Sequence, residues 1–322
     1  MKEKKTYRGI YNMVETTIII LTKNAGKGFK KTLGGIFSQK YDGVFEVLMI
    51  DSGSTDETLG IAEKYRITLI KIKPEEFNHG KTRNLGVENA NGKYMVFITQ
   101  DAIPKDDHWL ENLINNLKDD KIAGVYGRQI AKDDATPMEK FFLSQQYPPL
   151  KIIRSLNNMG KGVDNRGLQH GGAIFSNANS AIKKEYLEKY KFPEDLVFGE
   201  DQVWCKKVLS ARYNIVYDPS AAVYHSHNYS LKTTFQRFFD LGSVLWILHD
   251  KRSYGLLDFI RDGLRYEIKE LKFLLKEGHV VWIPCAIIYD ILKFMGVFLG
   301  KKEKYLPVFI KRNFSAHKSY EK

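Results

Sequence analysis

Cysteine is nearly missing from this sequence. Only Cys205 and Cys285 occur among 322 residues, far apart and outside any Cys-x-x-Cys spacing. That excludes a disulfide scaffold and a structural zinc site, and it suits a reducing cytoplasm. No Gly-x-Gly-x-x-Gly follows the first apolar run, which excludes a dehydrogenase-type dinucleotide site. Gly26-Lys27-Gly28 is a poor substitute for the glycine-rich, basic phosphate loop that a nucleotidyltransferase needs. Long apolar runs are missing near the start as well. Thr16-Thr17-Ile18-Ile19-Ile20-Leu21 is too short for a signal-peptide core or a membrane span, despite the basic Lys2, Lys4 and Lys5 before it, and it reads as a buried strand. The chain shows no internal repeat, low-complexity tract, or RNP, zinc-finger or basic-zipper signature, so nucleic acid is not an expected partner.

What is present is a 43% hydrophobic chain, enough for a large core, with a net charge of +12. Residues 231–322 hold 17 basic against 10 acidic residues, so +7 of that charge comes from under a third of the chain. Such a segment is drawn to anionic surfaces. It also contains the apolar run Val280-Val281-Trp282-Ile283-Pro284-Cys285-Ala286-Ile287-Ile288-Tyr289, continuing past Asp290 and Lys293 to Leu299. Those two charges and Pro284 argue against a spanning helix. A helix lying at a membrane surface, flanked by Lys301, Lys302 and Lys304, fits the pattern, and so does a helix packed on the rest of the protein.

The first half alternates short β-branched runs with helical periodicity, the pattern of a parallel sheet covered by helices. Strands are expected over 17–21, 45–50, 68–72, 94–99 and 122–126, and helices over 28–39, 55–65, 81–89 and 107–117. Ser54-Thr55-Asp56-Glu57 has the spacing of a capping box at a helix start. Residues 132–170 lose the rhythm, and Pro148-Pro149 and the stretch 157–162 suggest a loop that could order over a substrate. Beyond it, strands are expected over 173–176, 214–217 and 221–225, helices over 183–190 and 201–211, and mainly helix from Leu231. The organisation that follows is an α/β domain over 1–230, with halves at about 16–130 and 131–230, and a basic helical segment over 231–322.

In an open parallel sheet, ligands gather at the carboxyl ends of strands. Three polar clusters end apolar runs there: Thr22-Lys23-Asn24, Asp51-Ser52-Gly53-Ser54 and Thr99-Gln100-Asp101. Taken singly, each Asp is as readily a turn residue. Taken together, Asp51 could accept a pyrimidine N3–H and Asp101 could hold a divalent ion, since magnesium and manganese need few protein carboxylates when phosphates supply the rest. Downstream, Gly199-Glu200-Asp201-Gln202-Val203-Trp204 opens a helix with two acids, which would also complement its dipole. Val223-Tyr224-His225-Ser226-His227 ends an expected strand.

The runs Ile18-Ile19-Ile20-Leu21-Thr22-Lys23-Asn24, Val47-Leu48-Met49-Ile50-Asp51-Ser52-Gly53-Ser54-Thr55-Asp56 and Thr82-Arg83-Asn84-Leu85-Gly86 resemble family 2 glycosyltransferases. More narrowly, Phe77-Asn78-His79-Gly80-Lys81-Thr82-Arg83-Asn84-Leu85-Gly86 and Thr99-Gln100-Asp101-Ala102-Ile103-Pro104 are similar to bacterial rhamnosyltransferases. The likeness covers about residues 16–245 and continues more weakly through Ser315. It implies the α/β GT-A nucleotide-sugar-binding fold, a Rossmann-like, mostly parallel sheet, with a C-terminal helical extension.

The resemblance implies nucleotide-sugar contacts at Thr22, Asn24, Asp51, Gly53, Asn78, His79, Gly80, Arg83 and Gln100. It implies a divalent metal, Mn²⁺ or Mg²⁺, at Asp101 with His225, or with His227 as the alternative. It also implies a catalytic base at Asp201, with Glu200 as an acceptor-binding or orienting residue and Trp204 toward the acceptor. The family's Asp-x-Asp is here Thr99-Gln100-Asp101, a form that rhamnosyltransferase-like sequences share. Gln236-Arg237-Phe238-Phe239-Asp240 is a reduced Gln-x-x-Arg-Trp motif without its Trp, which does not support long-chain processive synthesis. Arg237 could neutralise a diphosphate or face solvent. The implied activity is inverting transfer of a sugar to a hydroxyl. The donor expected first is dTDP-L-rhamnose, with UDP-sugars next; the acceptor is a saccharide or lipid-linked saccharide at the cytoplasmic face of the membrane. A non-catalytic sugar- or membrane-binding scaffold is the competing expectation, prompted by Thr99.

Overall fold

The computed structural model describes residues 13–158, 173–248 and 256–317. Its elements in chain order are β1 (Thr16–Thr22), α1 (Phe29–Phe37), β2 (Phe45–Asp51), α2 (Thr58–Ala62), β3 (Ile67–Lys71), α3 (His79–Asn89), β4 (Tyr94–Thr99), β5 (Ile103–Pro104), α4 (Trp109–Asn116), β6 (Ile122–Ile130) and α5 (Pro137–Gln146). They continue with β7 (Ile152–Arg154), β8 (Asn179–Lys183), α6 (Lys184–Lys189), α7 (Glu200–Ser210), β9 (Asn214–Tyr224), α8 (Leu231–Leu248), α9 (Leu256–Lys276), α10 (Ile283–Gly300) and α11 (Val308–Phe314).

The strands form one sheet in the order β3-β2-β1-β4-β8-β6-β9-β5, with β7 also paired to β9. β3, β2, β1 and β4 are parallel; β8 enters antiparallel to both β4 and β6. Ile18, Ile19 and Ile20 of β1 are at most 1% exposed, as a strand covered by helices on both faces requires. The register pairs Thr22 with Asp51 and Leu21 with Thr99. The three polar strand ends therefore share one edge, as the sequence pattern predicts.

Several local expectations fail for physical reasons. Ser54 forms no capping box with Glu57: its hydroxyl donates to Asp51 and accepts the Asn24 N–H, and α2 starts only at Thr58. The strand expected over 173–176 lies instead at β8, after a turn. Its polar Asn179 and Ser180 are 0% exposed because Asn179 bonds Trp109 and the Ala221 carbonyl, and Ser180 donates to Asn177. β9 runs continuously where two short strands were expected. In the stretch that reads as loop, Thr136 caps α5 by accepting the Glu139 N–H, with Pro137 in the first turn. Most of the loop expected over 157–162 lies outside the described residues.

The C-terminal helices are not a separate layer. Leu241, Val244 and Leu245 of α8 and Val297 of α10 are buried in the cluster that also holds Trp204 and Phe175, so the core runs across the boundary expected at 230/231. Within α10, Asp290 and Lys293 turn inward, 1% and 5% exposed and 2.8 Å apart, while Ile287, Ile288, Ile291 and Met295 face out. Ile260, Leu264, Ile268 and Leu275 of α9 and Val308 and Phe309 of α11 are exposed as well. The segment Val280–Gly300 is long and apolar enough to cross a membrane by length and composition, and a third of it is buried.

Candidate active site

At the strand-end edge, Asp51 is 2% exposed and its carboxylate is filled from within the chain. Oδ1 accepts the N–H groups of Gly53 (3.0 Å) and Ser54 (2.9 Å), and Oδ2 accepts the hydroxyls of Thr22 (3.0 Å) and Ser54. Burial alone would raise its pKa; these four donors outweigh that and hold it below the usual value. Asp51 therefore shapes the loop at the edge of the cavity, whose wall its neighbour Ser52 lines. Gly53 lies at φ +89 with Pro74 against it, and Asn24, at φ 49, accepts the Thr55 N–H at 2.8 Å. These residues too brace the wall. Gln100, by contrast, lines the cavity while its amide pairs with both backbone groups of Lys23, and Thr22 and Ser52 face the same space.

The helix α3 supplies the next wall. Asn78 caps it, accepting the Lys81 N–H at 3.0 Å and donating to the Leu196 carbonyl, and a Cβ on Gly80 would meet the Pro193 carbonyl oxygen. Asn78 and Gly80 thus set the start of α3 and its close approach to the Pro193 backbone. His79 and Arg83 do reach the cavity. Burial pushes His79 down to about 4, leaving a neutral ring at pH 7. Arg83 pairs with Glu200 at 2.5 Å, and both are under 10% exposed.

Gly199 lies at φ +77 with Val244 of α8 against its α-carbon, so only glycine sets the start of α7 here. From that start the two acids diverge. Glu200, 4% exposed, is held by Arg83 and the Asn177 amide, which makes it an orienting group more than an acceptor contact. Asp201 is half-buried in the cavity wall. Its Oδ2 accepts the Asn177 N–H at 3.0 Å and its Oδ1 the Gln202 N–H at 2.8 Å. Burial, aided by the negative charge of Glu200, pushes its pKa up to about 7. Trp204 is 0% exposed, 5.2 Å from Phe175 and 6.1 Å from Phe192. It belongs to the core, against the expectation that it meets the acceptor.

Asp101, His225 and His227 bring three ligand atoms within 4.8 Å of one another. The imidazole Nε2 atoms are 3.0 Å apart and lie 3.4 and 3.5 Å from the two Asp101 oxygens. Gln129 Oε1 accepts from His225 Nδ1 at 2.7 Å, while its amide donates to the Tyr147 and Ser176 hydroxyls, so His225 Nε2 is aimed at the cluster. Burial opposes ionisation of Asp101, but the hydrogen bond and charge of His225, with His227, hold its pKa well below the usual value. One oxygen and two nitrogen donors fit a manganese-type divalent ion. Sequence offered His227 as an alternative to His225; the fold presents both.

All these groups face one cavity of about 570 Å³. Arg237 lines it without a carboxylate partner among the described residues, its guanidinium 5.1 Å from the Tyr229 ring and 5.8 Å from that of Phe198. Sequence reasoning missed Gln129, Tyr229, Glu139, Tyr289, Lys293 and His317, which line the cavity from elements distant in the chain. For Glu139, Tyr289 and Lys293, polarity within helices was the one available signal.

The model of the family described as "Glycosyl transferase family 2" matches residues 17–191. The O-antigen chain rhamnosyltransferases WbaN of Salmonella anatum and RfbN of Salmonella typhimurium are each 35% identical to the chain. Their alignments cover 96% and 95% of it and 96% of each relative. Among solved structures, a mannosyltransferase from Pyrobaculum calidifontis in complex with GDP-Man and Mn²⁺ superposes with TM-score 0.59 at 18% identity, covering 89% of this chain and 88% of that one. Staphylococcus aureus TarS with UDP-GlcNAc gives 0.54 at 16% identity, covering 91% and 92%. These likenesses identify the fold as GT-A. The chain belongs to glycosyl transferase family 2 and is a rhamnosyltransferase-like glycosyltransferase of polysaccharide synthesis.

Proposed function

We propose that the protein transfers L-rhamnose from dTDP-L-rhamnose to a hydroxyl of a lipid-linked saccharide, with inversion at the anomeric carbon. The observation that carries the reading is Asp201: a carboxylate pushed up to about 7, facing the cavity that also holds Asp101, His225, His227 and Arg237. A base titrating near the working pH removes a hydroxyl proton most effectively. Each Asp201 oxygen accepts one backbone N–H, which fixes its aim and leaves lone pairs for the acceptor. Glu200 and Arg83 hold the start of α7 and so the position of Asp201. Arg237, sandwiched by aromatic rings, places fixed positive charge where a diphosphate would gather it. Asp101, His225 and His227 would hold the divalent ion, which supplies further neutralisation of the leaving diphosphate. No side-chain nucleophile is required.

The donor sugar rests on the two 35% identical rhamnosyltransferases. The acceptor rests on the outer surface of α9–α11, where exposed aliphatic side chains stand beside Lys272, Lys276, Lys302 and Lys304. We assign this face to the cytoplasmic leaflet, the protein lying on an anionic bilayer rather than spanning it, because Asp290 and Lys293 are turned into the protein. A donor panel tests the reading: dTDP-rhamnose against UDP- and GDP-sugars, with Mn²⁺, measuring released nucleotide diphosphate with and without acceptor lipid. Acceptor-dependent release from dTDP-rhamnose is expected. Release only from a UDP-sugar would replace the donor, and none from any donor would return the scaffold reading.

A further inference from the structure

The segment that follows α11 reaches the cavity. Beyond α11, Phe314 packs edge-on to Phe235 (5.0 Å) and Phe239 (5.7 Å) of α8, and Gln236 donates to the Asn313 carbonyl. Asp240, 1% exposed, accepts the Ala316 N–H at 3.0 Å. Ser315 is buried, and its hydroxyl accepts the His317 N–H at 3.0 Å, which turns the backbone back on itself. That turn delivers the His317 ring to the cavity lining, stacked on Phe198 (6.3 Å, 29°) and edge-on to His79 (5.5 Å, 87°). Phe198 carries Arg237 as well, so the tail abuts the proposed diphosphate site, and Phe198 directly precedes the Gly199 turn that sets Glu200 and Asp201. Burial pushes the His317 pKa down to about 4, so the ring is uncharged at neutral pH.

We propose that His317, delivered by the turn at residues 315–316, is a wall of the catalytic cavity, keeping water from a bound donor so that the acceptor hydroxyl is the nucleophile. This rests on the transferase reading above. In transfer, the acceptor oxygen bonds to the anomeric carbon and that carbon's bond to the diphosphate oxygen breaks. The electron pair leaves with the nucleotide diphosphate, and the proton passes to Asp201. Hydrolysis is the same displacement with water as the nucleophile, giving free sugar. An open wall admits that competitor without altering the base.

The test is the ratio of free sugar to glycosylated acceptor, measured in full-length protein with donor, Mn²⁺ and acceptor lipid. Three variants are compared, each checked for folding by thermal unfolding. His317→Ala removes the wall, and the hydrolytic share should rise roughly tenfold. His317→Phe restores an uncharged ring and should return the ratio to within about twofold of wild type. Ala316→Pro removes the N–H that Asp240 accepts, releases the tail without touching the cavity, and should raise the ratio as His317→Ala does. Folded His317→Ala and Ala316→Pro proteins that partition donor as wild type does, or that merely slow both reactions together, would overturn the proposal while leaving the transferase reading intact. A wild-type protein that consumes no donor would overturn both.

Discussion

Replacing Glu200 by Gln separates the two adjacent acids at the start of α7. The folded protein holds Glu200 below its ordinary pKa: burial alone would raise it, and the Arg83 guanidinium 2.5 Å away outweighs that. Gln keeps the shape but leaves Arg83 buried beside a neutral amide, and breaking one side of a buried pair costs about 3–5 kcal/mol. The melting temperature should therefore fall by roughly 5–15 °C. The loss applies above the unfolded-state pKa of Glu, where the wild-type pair is fully charged, and shrinks as pH falls through the folded-state value.

The second consequence reaches catalysis. Glu200's charge is one of the two causes that raise Asp201, and Arg83's charge opposes it. In Glu200→Gln the raising charge is gone and the lowering one remains, so Asp201 ionises at lower pH, by about one unit or 1.4 kcal/mol. The assay is kcat/KM against pH, from about pH 5 to pH 9. Wild type should rise with pH to half its plateau at about 7. The variant should reach half its own lower plateau about one unit earlier. An unmoved midpoint, or one shifted upward, would refute the electrostatic coupling on which the base assignment depends.

Other consequences follow from the same geometry. His225→Ala and His227→Ala should each weaken Mn²⁺ binding, followed by EPR of the free ion, at least tenfold. Gln129→Leu, which unlocks the His225 ring, should weaken it by roughly 10–100-fold, and unchanged affinity would remove Gln129 from the support of the site. Asp51→Ala should cost about 3 kcal/mol or more in urea unfolding, because two backbone N–H groups and two hydroxyls lose a common acceptor. Normal stability with lost nucleotide binding would restore its direct role. Ile288→Glu with Ile291→Glu should abolish recovery on anionic vesicles while leaving turnover on a soluble acceptor, and persistent vesicle binding would move the docking face elsewhere.

Much of the donor half was legible because its strands are buried on both faces. Continuous apolar runs then stop abruptly at Thr22, Asp51 and Thr99, which made Asp101 visible as a strand-end acid. The acceptor half hid its elements behind polarity. Asn179 and Ser180 look exposed in sequence because their internal partners, Trp109 and Asn177, come from elsewhere in the chain. Trp204 read as an acceptor contact because a motif gives no depth, and three residues along α7 from Asp201 it is wholly buried among Phe175 and Phe192. Asn78 and Gly80 show a related ambiguity: a conformational requirement and a binding requirement leave the same residue types. His317 depends on a turn that no local pattern announces.

The central claim is that Asp201 is the base of a single displacement. Its most direct measurement compares Asp201→Asn with wild type for transfer under saturating donor, with donor affinity determined separately on the same folded proteins. The account predicts a fall in transfer of about 10²–10⁴-fold at nearly unchanged donor affinity, because the carboxylate's basicity is lost while its shape remains. Asp201→Asn protein that transfers sugar at the wild-type rate would contradict it.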